Sequence, residues 1–114
     1  MSIKSAVYAA IKDVVATFPV VAPQGTKPPY LRYSGIGDRD ESTYDADGMG
    51  ATSGTIQIDS FALSYADAVR NLAAARAALY ASPGVTVGEI VGLPDDYEGD
   101  TKLFKVSMQV EAWE

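Results

Sequence analysis

Closely spaced carboxylates are the residues of this sequence that come nearest to catalytic chemistry. General acid–base catalysis, as in a glycosidase, needs two carboxyl groups in different environments, so that their pKa values separate. The pairs here lie in polar segments, where carboxyls stay exposed and titrate normally. We therefore interpret them as solvated loop charges. The pairs are Asp38/Asp40, Asp45/Asp47 and Asp95/Asp96.

The glycine-rich acidic segment also invites comparison with two binding loops. Residues 45–48 resemble the centre of an EF-hand calcium loop, but Thr43 and Gly54 stand where that loop needs an aspartate and a bidentate glutamate. The glycines miss the dinucleotide-binding spacing by one residue and precede a predicted strand instead of following one. Both comparisons fail, and we expect no metal and no other cofactor.

Composition restricts the chemistry further. The 114 residues include no histidine and no cysteine, which removes the commonest general base and any disulfide or thiolate metal site. The net charge is −6, and the nine basic residues are scattered, whereas binding to nucleic-acid phosphates needs clustered Lys and Arg. No apolar run approaches the roughly 20 residues of a membrane helix, and a secretory signal is not recognisable. We expect a soluble, unexported protein without a membrane partner.

Hydrophobic periodicity predicts the elements that position these residues. Apolar residues recur every three or four positions in residues 2–18, which predicts a helix that Pro19 ends. A capping sequence at Ser64 predicts a second helix that runs to about Ala81. Runs rich in branched and aromatic residues predict strands. The predicted strands are residues 20–21, 30–36, 55–63, 85–93 and 102–113.

These elements predict one domain over residues 1–114. Short turns between neighbouring strands favour antiparallel pairing. The fold class is therefore α+β, with an antiparallel (mixed) sheet of about four to five strands and two helices packed on one face. Near Ser60 the strand alternation slips, which indicates a bulge or a strand that is covered on both faces. Residues 37–54 carry many charges and glycines and few aliphatic anchors, which predicts a mobile acidic loop.

Several large or charged side chains have no obvious place in the core of one small domain. Trp113 falls on the polar face of the last strand, where either the proline-rich segment or another subunit would have to cover it. Tyr44, Met49 and Tyr97 lie in acidic segments and are contact candidates on the same grounds. Arg76 falls within the apolar stripe of the second helix. It is either an arginine at the edge of the buried face whose charged end reaches solvent, or the partner of a carboxylate, which would be Asp59 in an internal ion pair or a residue of a neighbouring subunit.

The order of these segments resembles the tail-terminator or tail-completion proteins of long-tailed bacteriophages and prophages. An amphipathic helix ends in Phe18-Pro19, and the chain closes with an acidic turn and a strand that ends at Trp113. The resemblance spans nearly the whole chain. Between its two ends it rests on Pro28-Pro29-Tyr30-Leu31-Arg32-Tyr33, Ile56-Gln57-Ile58-Asp59-Ser60-Phe61 and Ser64-Tyr65-Ala66-Asp67-Ala68.

The resemblance implies a structural virion protein and not an enzyme. Such proteins form a ring, usually a homohexamer, that caps the completed tail tube, ends tube polymerisation and offers a surface for head–tail joining. The implied partners are copies of the chain, the tube protein and the head–tail connector, while DNA passes through the lumen without specific binding. The implied location is the virion tail, assembled in the host bacterial cytoplasm.

A ring of this kind would join subunits through the acidic loop and basic groups of the next subunit. On the acidic side we expect Asp40, Glu41 and Asp47 to contribute, and on the basic side Arg32, Arg39 and Arg70. Two alternatives remain open. One is a head–tail connector or stopper subunit, and the other is a small carboxylate-dependent hydrolase or ligand-binding domain. A deep pocket with raised carboxylate pKa values at Asp59, Asp95 or Asp96 would favour the latter.

Overall fold

The computed structural model describes residues 3–40 and 52–113 and shows two helices and a six-stranded sheet. In chain order the elements are α1 (Ile3–Ile11), β1 (Thr17–Pro19), β2 (Tyr30–Asp40), β3 (Thr52–Ala62), α2 (Tyr65–Ala81), β4 (Thr86–Gly92), β5 (Asp96–Glu98) and β6 (Leu103–Trp113). No helix in the described ranges is long and apolar enough to cross a bilayer.

The sheet has the order β1-β2-β3-β6-β4, and β5 pairs with β6. The pairing of β1 with β2 is parallel, and all other pairings are antiparallel. The predicted α+β class with a mixed sheet is confirmed. The strand count exceeds the prediction because the acidic turn after β4 contains the short strand β5.

The first helix is shorter than its periodicity predicts. It ends at Ile11 instead of Phe18, and Phe18 lies in β1 opposite Arg32. Valine and threonine are branched at Cβ and suit extended backbone better than helix, and the backbone N–H of Leu31 donates to the carbonyl of Ala16 at 2.8 Å. The predicted strand at residues 20–21 was therefore placed slightly too late.

The long acidic segment is shorter than predicted, because both of its ends belong to strands. Residues 37–40 extend β2 and residues 52–54 begin β3, and the two strands pair from Tyr30↔Phe61 to Asp40↔Thr52. A register shift between Gly35 and Gly37 interrupts this ladder. Residues 41–51 lie outside the described residues, so mobility of the loop stays a prediction.

Both helices pack on one face of the sheet and enclose the apolar core. Even-numbered residues of β3 and β6, such as Ile58 and Val110, point toward buried residues of both helices, among them Val7 and Leu79. The predicted alternation of β6 is thus confirmed. The slip near Ser60 reflects a strand covered on both faces, since β3 pairs with β6 without a shift there.

The predicted cap of the second helix is confirmed. Ser64 has extended backbone, and its hydroxyl accepts a hydrogen bond from the backbone N–H of Asp67 at 3.1 Å. This bond satisfies one of the free N–H groups in the first turn. Ala68 and Ala75 are fully buried, and their small size allows α2 to approach the sheet closely.

Candidate functional site

The face of the sheet that is turned away from the helices carries a hydrogen-bonded group of polar side chains. We call it the helix-free face; it is formed by the odd-numbered residues of β3 and β6 and the even-numbered residues at the start of β2. Cross-strand pairing places Arg32 opposite Asp59, and Asp59 opposite Ser107. One row of side chains therefore crosses the three central strands.

The centre of this row is a buried carboxylate that all its neighbours bind. Asp59 is 1% exposed. Arg32 donates to its Oδ2 from Nε at 2.9 Å and from Nη2 at 2.7 Å. Its Oδ1 accepts from Nε2 of Gln57 at 2.9 Å and from the hydroxyl of Ser107 at 2.5 Å. We call these four residues the Asp59 network.

The network keeps Asp59 ionised. Burial by itself would raise the pKa of this carboxyl, but hydrogen bonds from Gln57, Ser107 and Arg32, together with the charge of Arg32, outweigh burial and lower the pKa below its usual value. A buried charge persists only when it is paired and hydrogen-bonded, and both conditions are met here. A carboxylate in this state is a structural acceptor that ties β2, β3 and β6 together.

Aromatic rings cover the network from one side. The guanidinium of Arg32 lies 4.9 Å from the ring centre of Phe61, a distance at which a cation is attracted to the ring face. Tyr30 stacks on Phe61 at 4.9 Å, and Phe18 meets Tyr30 edge-on at 6.2 Å. These rings explain how Phe61 is buried on a face that carries no helix.

The structure gives Asp59 a different partner from the predicted Arg76. Asp59 points to the helix-free face, whereas Arg76 is exposed on α2, on the other side of the sheet. The predicted pair was wrong because the slip in alternation hides which face Asp59 occupies. Its true partner, Arg32, could have been found only from the β2–β3 register.

Four of the predicted contact residues have described side chains. Arg32 belongs to the Asp59 network and is 28% exposed, and Arg70 forms an ion pair with Asp67 at 2.8 Å on the surface of α2. Tyr97 is half exposed in β5. Trp113 is partly buried against β4, since a Cβ on Gly88 would lie 2.8 Å from its ring.

Trp113 lies at the end of β6 that is far from the proline-rich segment. That segment leads into Tyr30, which pairs with Phe61 beside the start of β6. Packing of Trp113 under the prolines was therefore wrong. Arg39 and Asp40 lie in β2, but their side chains are outside the description, as are Glu41, Tyr44, Asp47 and Met49 entirely. For all of these residues an interface role stays a prediction.

Other carboxylates of the helix-free face line a shallow groove near the β4 edge. Among its lining residues Glu89 and Glu111 are exposed, and the others are Thr55, Val91 and Gln109. Asp95 lies elsewhere, where it accepts a hydrogen bond from the hydroxyl of Tyr65 at 2.5 Å. Within residues 3–40 and 52–113 the structure brings together no group of three or more acidic residues that could hold a metal ion.

Comparison with known proteins gives one family and one fold. The family model described as Tail completion protein gp17 matches residues 4–114. Among solved structures, a chain from the virion of a native gene transfer agent particle is similar over 98% of this chain and 93% of its own, with 15% identity and a TM-score of 0.65. That identity establishes a shared fold only. No curated protein matches the sequence.

Proposed function

The chain belongs to the tail completion protein gp17 family, whose members have a structural role in phage tails, and we propose that it forms the ring that caps the tail tube. The ring, which we propose to be a hexamer, ends tube polymerisation and gives the head–tail connector a surface to bind. The match over residues 4–114 carries this proposal. We further propose that the chain acts in the virion tail, which is assembled in the host bacterial cytoplasm. The fold that it shares with a chain of a gene transfer agent virion is compatible with a place in such a particle.

A closed ring needs two different patches on each subunit, because head-to-tail contacts close by rotation. The strand order places β1 and β4 at opposite edges of the sheet. Val20 and Val21, directly after β1, are 60% and 69% exposed, and Val91 in β4 is 44% exposed. We propose that these two valine edges meet between neighbouring subunits, where each would remove apolar surface from water.

With its edges in contact, each sheet turns one face inward and one outward. We propose that the helix-free face lines the lumen. Its groove carries Glu89 and Glu111 beside the neutral side chains of Thr55 and Gln109. Exposed carboxylates repel phosphates, and none of the residues that line the groove is basic, which suits a passage for DNA.

The state of Asp59 favours this structural role over the carboxylate-dependent alternative. A general acid needs a carboxyl whose pKa is raised, whereas the pKa of Asp59 is lowered and both its oxygens are already bound by protein donors. Asp59 therefore has no lone pair directed at a substrate. Its contacts join the three central strands of the sheet, which suits a structural subunit of an assembly.

Sedimentation or native mass spectrometry over a concentration and salt series, with and without purified tail tubes, tests the ring. We expect a closed oligomer in the wild type and a loss of oligomer in Val21→Glu, because that change places a charge in the proposed apolar contact. Tyr80→Glu is the matched control, since Tyr80 is 60% exposed, close to the 69% of Val21, but lies on α2. A strict monomer under every condition, including beside tubes, would remove the support for a ring.

A gel-shift experiment with duplex DNA tests the proposed lumen. At about 150 mM salt, where charges more than roughly 8 Å apart are screened, we expect no retained complex with micromolar wild-type protein. The double variant Glu89→Lys/Glu111→Lys should retain DNA. The control Asp13→Lys/Asp67→Lys changes the charge by the same amount in the turn after α1 and in the first turn of α2, and it should retain less. Retention by the wild type would contradict a passive passage.

A further inference from the structure

Two exposed tyrosines and one partly buried phenylalanine form a group of aromatic rings where α2 begins and β5 pairs with β6. Phe104 lies at the centre, with Tyr65 edge-on at 6.1 Å and Tyr97 tilted at 4.8 Å between ring centres. Tyr65 is 48% exposed and Tyr97 is 50% exposed. We call these three residues the aromatic corner. Leu63, just before the cap of α2, adds a further exposed apolar side chain.

Hydrogen bonds hold the aromatic corner in place. The hydroxyl of Tyr65 donates to Oδ2 of Asp95 at 2.5 Å, which joins the start of α2 to the turn after β4. The backbone N–H of Tyr97 donates to the carboxylate of Asp96 at 2.8 Å, and Tyr97 itself lies opposite Phe104 in the ladder. Because the bond to Asp95 holds the ring of Tyr65 and both tyrosine rings contact Phe104, binding there would cost less side-chain entropy than binding to free side chains.

Charge decides what such a surface can receive. Residues 94–100 contain four acidic residues and no basic one, and the carboxylate of Asp95 reaches the rim of the rings. Ring faces attract arginine and lysine cations through their negative quadrupole, and a carboxylate at the rim adds to that attraction. Lys105, which lies opposite Asp96 in the ladder, offsets only part of this charge, so an acidic partner would be repelled.

From this geometry we propose that the aromatic corner binds an arginine- or lysine-bearing segment of another protein, which docks its cation on the rings of Tyr65 and Tyr97 beside Asp95. A second copy of this chain fits less well, because its nine basic residues are scattered and its sequence contains no basic segment. The inference goes beyond ring formation: its residues are distinct from the valine edges, and its occupant is a different protein.

Nuclear magnetic resonance titration with the peptide acetyl-Gly-Arg-Gly-Arg-Gly-amide tests the proposal, with glutamine in place of arginine as the control peptide. We expect saturable shifts at Tyr65, Tyr97 and Phe104 with the arginine peptide only. Tyr97→Ala should weaken binding by about fivefold, the equivalent of one exposed cation–π contact. Tyr80→Ala, which removes an equally exposed tyrosine from the far end of the same helix, should leave it unchanged.

Tyr97→Leu tests whether a loss of apolar bulk alone explains the weaker binding, because leucine keeps apolar bulk on β5 but has no ring face. It should weaken binding as alanine does. Equal binding of the glutamine peptide, shifts spread over all acidic surfaces, or equal losses in Tyr80→Ala would each overturn the proposal. Native mass spectrometry of Tyr97→Leu separates it from the ring: an intact ring with weakened peptide binding supports both proposals. Peptide binding by a wild-type chain that never forms rings would support the proposal for the aromatic corner and contradict the proposal for the ring.

Discussion

The two faces of one sheet are buried by different means. On the helix-covered face Ile56, Ile58 and Val110 are fully buried under α1 and α2. On the helix-free face Asp59 and Ser107 are almost as deeply buried, at 1% and 3% exposed, without any helix above them. There Arg32 binds the carboxylate of Asp59, and the neighbouring aromatic rings of Phe61, Tyr30 and Phe18 belong to the same sheet.

The two faces contribute differently to the fold: one mainly stabilises it, and the other mainly selects the alignment of its strands. Apolar burial on the helix-covered face is non-directional and scales with area, so it stabilises the fold without demanding one exact alignment. The Asp59 network demands that Arg32, Asp59 and Ser107 lie opposite one another, since a slip of one residue would turn Asp59 to the other face. We infer that the core supplies most of the stability and that the network fixes the register of the three central strands.

The largest expected effect comes from breaking the helix-covered face. Ile58→Ala removes a fully buried side chain next to both helices and should lower the free energy of unfolding by about 3 kcal/mol. Thr55→Ala, on the helix-free face of the same strand, should change it by no more than about 0.5 kcal/mol. Urea unfolding of both variants measures the contrast, and equal losses would show that the faces do not differ.

A somewhat smaller effect should come from removing the cation of the network. Arg32→Met leaves the buried carboxylate of Asp59 with only Gln57 and Ser107 as donors. We expect a loss of about 2 kcal/mol, below the full cost of breaking a buried pair, because Arg32 is 28% exposed and water can partly replace it.

A double-mutant cycle separates the pair from its surroundings. Combined with Asp59→Asn, Arg32→Met should cost clearly less than the sum of the two single changes, with a coupling of about 1 kcal/mol or more. Simple additivity of the two losses would mean that the ion pair contributes nothing of its own.

Much of the fold could be predicted from the sequence because periodicity is a local property. The alternation in β6 and the Ser64 cap of α2 both appear in the structure where the residues indicate them. The end of α1 was misplaced because Phe18 continues the helical spacing, while its backbone pairs with β2, which follows a dozen residues later. Pairing between distant segments is not written in a local pattern.

The site was harder to predict for the same reason. Asp59 could be recognised as a strand carboxylate in need of a cation, but it lies 27 positions from Arg32 and 48 positions from Ser107 in the sequence. Residues 41–51 connect β2 and β3 in the sequence, and a connection of that length leaves the register of the two strands open to sequence analysis. The aromatic corner likewise joins Tyr65 and Phe104 across most of the second half of the chain.

The pH dependence of stability should report the network directly. The folded pKa of Asp59 is lowered, whereas an aspartate in the unfolded chain titrates near about 3.9. Its contribution is therefore fully present above the unfolded pKa and is lost as the pH falls through the folded one. The advantage of the wild type over Asp59→Asn should be constant from about pH 5 to 8 and shrink below about pH 4. An advantage that persists unchanged at lower pH would exclude this origin.

The smallest and sharpest contrast compares two buried serines on opposite faces. Ser107 donates its hydroxyl proton to Asp59, whereas the hydroxyl of Ser60, which is fully buried on the helix-covered face, has no hydrogen-bond partner among the described residues. Ser107→Ala takes a donor from a buried carboxylate and should cost about 1 kcal/mol.

Ser60→Ala removes an unsatisfied buried hydroxyl, whose desolvation costs about 1 kcal/mol or more, and should be neutral or stabilising. The two changes delete the same atom from neighbouring rows of the same strand pair, so differences in volume and unfolded-state effects nearly cancel. Urea midpoints of the two variants should therefore move apart, with Ser107→Ala below the wild type and Ser60→Ala at or above it. If the urea midpoints of both variants fell equally, the two hydroxyls would contribute equally to stability. The distinction between an apolar packed face and a hydrogen-bonded face would then be wrong.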